Sequence, residues 1–90
     1  MFSTFTDWEF DDVEASQKTA EEIMWPKMKA AGAISFKATQ TGDNTVRTNI
    51  VWPDAATAQA AIEKMRALAL EHMSGKVTGT SAGALMLDLS

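Results

Sequence analysis

The sequence predicts an α+β domain in which two helices cover one face of an antiparallel sheet. Two observations carry that reading. Short strand-like segments alternate apolar and polar residues, and two longer segments repeat apolar residues at helical spacing, in the order β-α-β-β-α-β. The chain has 90 residues, enough for one hydrophobic core and not two, so residues 1–90 are expected to form a single domain.

Residues 1–8, rich in Phe, Thr and Trp, read as the first strand. Asp11 and Asp12 then offer side-chain oxygens to cap a helix. From Val13 the apolar positions Ala20, Ile23, Met24, Met28 and Ala31 form one stripe. Lys27 and Lys29 complement the negative end of the helix dipole, and Gly32 follows as a stop. Pro26 lies inside this pattern. A proline there removes a hydrogen bond and crowds the preceding turn, so a kink or break is expected near Trp25–Pro26.

Residues 33–40 alternate, with Ile34, Phe36 and Ala38 on one face and Ser35, Lys37 and Thr39 on the other. Residues 45–52 alternate likewise, with Val46, Ile50 and Trp52 opposing Arg47 and Asn49. Phe36 and Ile50 must face the same side, so even positions pair with even positions. That demands an odd loop, Gly42-Asp43-Asn44, with Gly42 or Asn44 expected in the left-handed region. The expected cross-strand pairs are Ile34–Trp52, Phe36–Ile50, Lys37–Asn49 and Thr39–Arg47.

Pro53 and Asp54 begin a second helix, which runs from Ala55 to Met73 through strong helix formers. Its buried stripe is Ala58, Ala61, Ile62, Met65, Leu68, Ala69 and Met73. Ser74–Gly75 ends it. Residues 76–90 read as a long last strand, with Val77, Gly79, Ser81, Gly83, Leu85, Leu87 and Leu89 on one face. The element order is the ferredoxin-like split βαβ arrangement, and right-handed crossovers give strand order 4-1-3-2. The last strand is then an exposed apolar edge, and the sheet keeps one face without helices. Both features point to a homodimer with sheets packed face to face. Lys37, Arg47 and Asn49 lie on that second face, where Asp7 or Asp88 could partner the charges.

Net charge is −4 and unevenly placed. The first 22 residues hold seven acids and one base, the solvated start of a helix, and the scattered bases elsewhere form no run. No nucleic-acid or membrane-surface partner is expected. Cysteine is absent, which excludes disulfides and thiolate sites and suits a cytoplasmic protein. No transmembrane helix or signal peptide is expected. One His without Cys makes no typical zinc site, and no spaced carboxylate motif suggests calcium or magnesium, so no metal is expected.

Gly79-Thr80-Ser81-Ala82-Gly83 matches the G-x-S-x-G pattern, but no helix and no later histidine can follow it. Its small residues instead leave room for a helix or a ligand. Ser74-Gly75-Lys76 lacks the upstream glycine of a phosphate loop. His72 sits three residues after Ala69, either as a partner for the helix's last carbonyls or as a general base. Met and Trp residues at helical spacing belong mainly to the core, yet methionine also lines adaptable apolar sites. The expected ligand-binding set is Trp25, Met28, Phe36, Trp52, Met65, His72 and Ser81, around a cavity opened by the disturbance at Pro26.

The order of elements, the Ala31-Gly32-Ala33 step, the Thr41-Gly42-Asp43 turn and the Trp52-Pro53-Asp54-Ala55 segment resemble the dimeric α+β barrel superfamily. That group includes antibiotic-biosynthesis-type monooxygenases and stress-responsive barrel proteins. The resemblance implies a homodimer with a pocket between each sheet and its helices. Haem-degrading members use an Asn, a Trp and a His together. Here the first strand offers Thr4 and Thr6 where those members place the Asn, and Asn49 faces away from Trp52, so neither haem nor any other cofactor is expected.

Three functions follow in order of preference. The first is a binding module for an apolar or fatty-acyl-like small molecule. The second is a cofactor-independent monooxygenase or isomerase, with His72 and Trp52 or Thr4 handling substrate. The third is a structural dimer.

Overall fold

The structure, a computed structural model, describes residues 1–89. Its elements are β1 (Phe2–Phe10), α1 (Val13–Thr19), a π turn (Ala20–Met24), α2 (Trp25–Ala30), β2 (Ser35–Gln40), β3 (Thr45–Trp52), α3 (Ala55–His72) and β4 (Gly75–Ala84). The sheet order β2-β3-β1-β4 is the expected one read from the other edge, and every pairing is antiparallel. α1, the π turn and α2 follow one another without interruption. The architecture is therefore ferredoxin-like, with two helical segments, residues 13–30 and α3, on one side of the sheet.

Strand parity decides what each residue sees. Thr4, Thr6, Trp8 and Phe10 of β1 are buried toward the helices, as are Val46, Ile50 and Trp52 of β3. Phe5, Asp7 and Glu9 turn to the other face. The β2–β3 register matches the alternation of the two segments: Phe36 opposes Ile50, Lys37 opposes Asn49 and Thr39 opposes Arg47. Ile34 lies just outside the ladder. Its N–H donates to Val51 O at 2.8 Å, but its side chain is exposed rather than part of the core, because the chain is only then joining the sheet.

The hairpin closes through Thr41, whose N–H donates to Thr45 O at 2.9 Å and whose hydroxyl bonds the Thr45 hydroxyl at 2.9 Å. The loop is odd, as parity requires. Neither Gly42 nor Asn44 is left-handed, since Gly32 is the only positive-φ residue described. Asn44 has another task. Its backbone carbonyl accepts from Phe10 N at 2.7 Å, and its amide donates to Phe10 O at 2.9 Å, tying the hairpin to the end of β1.

Pro26 neither stops nor breaks the first helix. The preceding turn widens to π spacing, with the Trp25 N–H donating to Ala20 O. The extra residue in that turn gives the ring of Pro26 room against the carbonyls before it, and Pro26 then occupies the first turn of α2, where its missing N–H is cheapest. Asp12 caps α1 by accepting from Ala15 N at 3.0 Å, and Asp54 caps α3 by accepting from Thr57 N at 2.7 Å. Gly32 ends the first helix with φ +107°, and a Cβ there would stand 2.9 Å from Thr57 Cγ2.

β4 departs from the sequence reading in two ways. It ends at Ala84, and residues 85–89 leave the strand. It also carries a bulge: Asp7 opposes Gly79 while Trp8 opposes Val77, so Thr78 is the extra residue. The bulge flips parity. Val77 faces the helices, whereas Gly79, Ser81 and Gly83 face the open side, opposite to the expected common face. On that open side Arg47 donates to Asp7 at 3.0 and 3.3 Å and lies 5.7 Å over the Phe5 ring, so Asp7 is the partner that Arg47 takes.

Two stability predictions follow from the caps. Gly32→Ala lowers unfolding free energy by about 1 kcal/mol or more, because the left-handed backbone and the Thr57 contact both penalise a Cβ; urea denaturation reads this. The hydrogen bonds from Thr57 hold the Asp54 carboxyl below its ordinary range. A depressed carboxyl contributes stability above the ordinary aspartate range and loses it as pH falls through the folded value. Asp54→Ala therefore lowers the urea midpoint at neutral pH and narrows the gap between neutral and strongly acidic conditions.

Candidate functional site

A cavity of about 390 Å³ lies between the helices and the sheet. Its wall is mainly apolar: Trp8 and Phe10 of β1, Met24 of the π turn, Met28 of α2, Phe36 of β2, and Met65 and Met73 at α3 and its end. Trp8 and Phe10 stack with centroids 5.4 Å apart, giving the β1 side a flat aromatic floor. Small side chains at Ala20, Ala38 and Ala69 leave the volume unfilled. Gln17, Glu21, Ala38 and Gln40 line it and are exposed, which marks the mouth between the first helix and β2. Ala20, Glu21 and Met24 place the π turn in the wall. A helix that widens there turns its side chains away from strict α spacing and holds the space open.

The polar groups in the wall form a connected set. The Trp8 indole donates to Thr48 Oγ1 at 2.9 Å, and Thr48 Oγ1 donates to Thr6 O at 3.4 Å. Arg66 Nε donates to Thr6 Oγ1 at 3.1 Å, and its Nη1 donates to Glu63 at 3.0 Å. The Arg66 side chain is only 14% exposed, while that of Glu63 is 81% exposed. Ser16 is buried in the same wall. Glu21 is the only carboxylate among the lining residues, and the lining holds no histidine, lysine or aspartate. No group of His, Asp or Glu among the described residues is placed to hold a metal ion.

The structure divides the seven sequence-predicted residues. Met28, Phe36 and Met65 line the cavity together. Trp25 stands behind it, stacked on Phe36 at 6.4 Å with Lys29 Nζ 5.7 Å from its ring. Trp52 is fully buried outside the cavity, and its indole donates to Thr4 Oγ1 at 3.0 Å, which makes it core. His72 is exposed at the end of α3 and does not reach the cavity. Its place three residues after Ala69 set it beside the stripe by spacing, but the helix ends there and the side chain falls on the solvent side. Ser81 lies across the sheet, because the bulge at Thr78 turns it to the open face. There it lines a shallower depression with Ser3, Phe5 and the tail residues Leu85, Met86 and Leu87.

Sequence reasoning missed Thr6, Thr48 and Arg66. Thr6 and Thr48 carried a signal, since strand parity puts both on the face of Trp8 and Ile50. Arg66 carried one too: it falls four residues after Ile62 and three before Ala69, on the edge of the buried stripe.

No protein-family model matches the chain, and no curated protein matches it by sequence. Solved structures do match. A dimeric ferredoxin-like protein from an uncultured marine organism is 12% identical with a TM-score of 0.68, covering 100% of this chain and 99% of its own. A structural-genomics protein, YJCS, is 11% identical with a TM-score of 0.70, covering 94% and 98%. SnoaB, a cofactor-independent oxygenase from Streptomyces nogalater, is 13% identical with a TM-score of 0.63, covering 98% and 95%. The shared fold is ferredoxin-like. Among the described residues no helix is long and apolar enough to cross a membrane.

Because Trp52 is core rather than cavity wall, Trp52→Phe lowers unfolding free energy by about 1–3 kcal/mol, through lost packing and an unpaired Thr4 hydroxyl. Denaturation and binding assays on the same variant separate this loss from any change in ligand affinity, which stays at the wild-type value.

Proposed function

We propose that the protein is a cytoplasmic homodimer in which each subunit binds an apolar or amphipathic small molecule in the cavity between sheet and helices. The observation that carries the reading is the cavity itself. It is concave, walled by aromatic and methionine side chains, and furnished with a few convergent polar groups, the usual make-up of a small-molecule site. Native cores close such space, because an unfilled apolar void loses dispersion contacts. The dimer is supported by the surface away from the helices. Met86, Leu87 and Leu89 are 93%, 68% and 82% exposed beside the small residues of the β4 edge, and a second sheet would cover them.

The likeness to an oxygenase fold favours a second reading, a cofactor-independent monooxygenase or isomerase using the same cavity. The enzyme would draw on water exclusion and on Arg66, Thr6 and Ser16 as hydrogen-bonding groups. His72 has no part in it, and the lining offers only the exposed Glu21 as a proton acceptor. Binding therefore accounts for more of the site than catalysis does.

Native mass spectrometry of freshly purified protein tests both parts. The expected species is a dimer carrying a releasable small mass on each subunit. A strict monomer removes the dimer. Ala38→Trp, placed at the exposed mouth, abolishes the adduct and leaves the unfolding free energy within about 0.5 kcal/mol of wild type. An adduct retained at full occupancy in that variant places the ligand elsewhere.

A further inference from the structure

The proposed cavity contains one group that an apolar ligand alone does not explain. Arg66 lines it with a guanidinium that is largely withdrawn from solvent. Arginine has five N–H donors; one goes to Thr6 Oγ1 and one to Glu63, leaving three without a partner among the described residues. The carboxylate that pairs with it among the described residues, Glu63, stands in water, where solvent screens most of the pair's attraction. No fully buried side-chain nitrogen among the described residues is left unpaired, so the free Arg66 donors reach open space, and a mostly buried cation gains from a group of opposite charge placed there. The Thr6 hydroxyl fixes the Nε edge of the guanidinium, so the donors left free have a defined direction. The acid in the wall, Glu21, is exposed at the mouth.

We infer that the ligand is an amphipathic carboxylate, its acid group held by Arg66 and its apolar body lying against Trp8, Phe10 and the methionines. This rests on the small-molecule reading above and adds the class of ligand. A planar carboxylate matches the fork of a guanidinium, and hydrogen bonds between charged partners are roughly twice as strong as neutral ones. Lysine at the same place keeps the charge and loses the fork.

Calorimetric titration with decanoate and with decanol tests the inference on the intact protein. The two probes share a chain and differ in the head group. Decanoate is expected to bind wild type at least about tenfold more tightly than decanol, the scale of one charge-assisted contact. Arg66→Met, whose folding is checked by circular dichroism, is expected to remove that preference while decanol still binds. Arg66→Lys is expected to keep part of it, and supplies the test if the Met variant does not fold. Equal affinity of the two probes for wild type overturns the inference and leaves the cavity reading standing. A preference for decanoate that survives Arg66→Met also overturns it. Failure of both probes to bind wild type overturns the small-molecule reading itself.

Discussion

Two threonine hydroxyls buried on the helix side of β1 organise the interior. A buried hydroxyl must find a hydrogen-bond partner, and each of these accepts from a large side chain on another element. Thr4 holds the Trp52 indole, locking β3 against β1 at the closed end of the core. Thr6 holds Arg66, drawing α3 onto the middle of the sheet. Opposite Thr6, Thr48 links the Trp8 indole to the backbone of β1. No buried side-chain nitrogen or oxygen among the described residues lacks a partner, so this polar row rigidifies the core instead of weakening it.

The same row divides the space under the helices. Around Thr4 the volume is filled by Trp52, which is 0% exposed, and by Ala58 and Ala61 of α3 packed close to the sheet. Toward the other end, the π turn widens the helix just before Pro26. The residues that would fill the gap are alanines at positions 20, 38 and 69. Proline, the π turn and the small side chains act together: the first disturbs the helix, the second absorbs the disturbance, and the third keeps the resulting room empty. Arg66 then gives that room one direction, because its guanidinium is the only cation in the wall among the described residues.

The open face has a different logic. Near β2 and β3 it is polar, with Asp7 and Arg47 paired across strands and Lys37 in solvent. Near β4 it is small and apolar, and the chain after Ala84 carries methionine and leucine into water. In the proposed dimer, the paired charges would set alignment and the tail would supply buried area.

Much of this was legible in the sequence. Period-two alternation required Phe36 and Ile50 to share a face, and that requirement alone dictated the hairpin register and its odd loop. Asp54 and Gly32 announced the helix boundaries through their own local chemistry. Met28, Phe36 and Met65 were found as wall residues because periodicity puts them on the inner faces. What escaped the sequence depended on contacts distant along the chain. The bulge at Thr78 is a mismatch between two strands, invisible in either one, yet it decides that Ser81 lies on the wrong side of the sheet for the cavity. His72 and Ala69 share a helix face by spacing, but where α3 runs past the sheet determines that one is buried and the other wet. Trp52 and Phe36 share a sheet face, and only the packing of α3 made the first core and the second wall. Local propensity and periodicity determine elements, faces and register because they act over a few residues. The cavity, its arginine and the side of the sheet each residue serves were decided by tertiary packing, which sums over elements the local pattern cannot see.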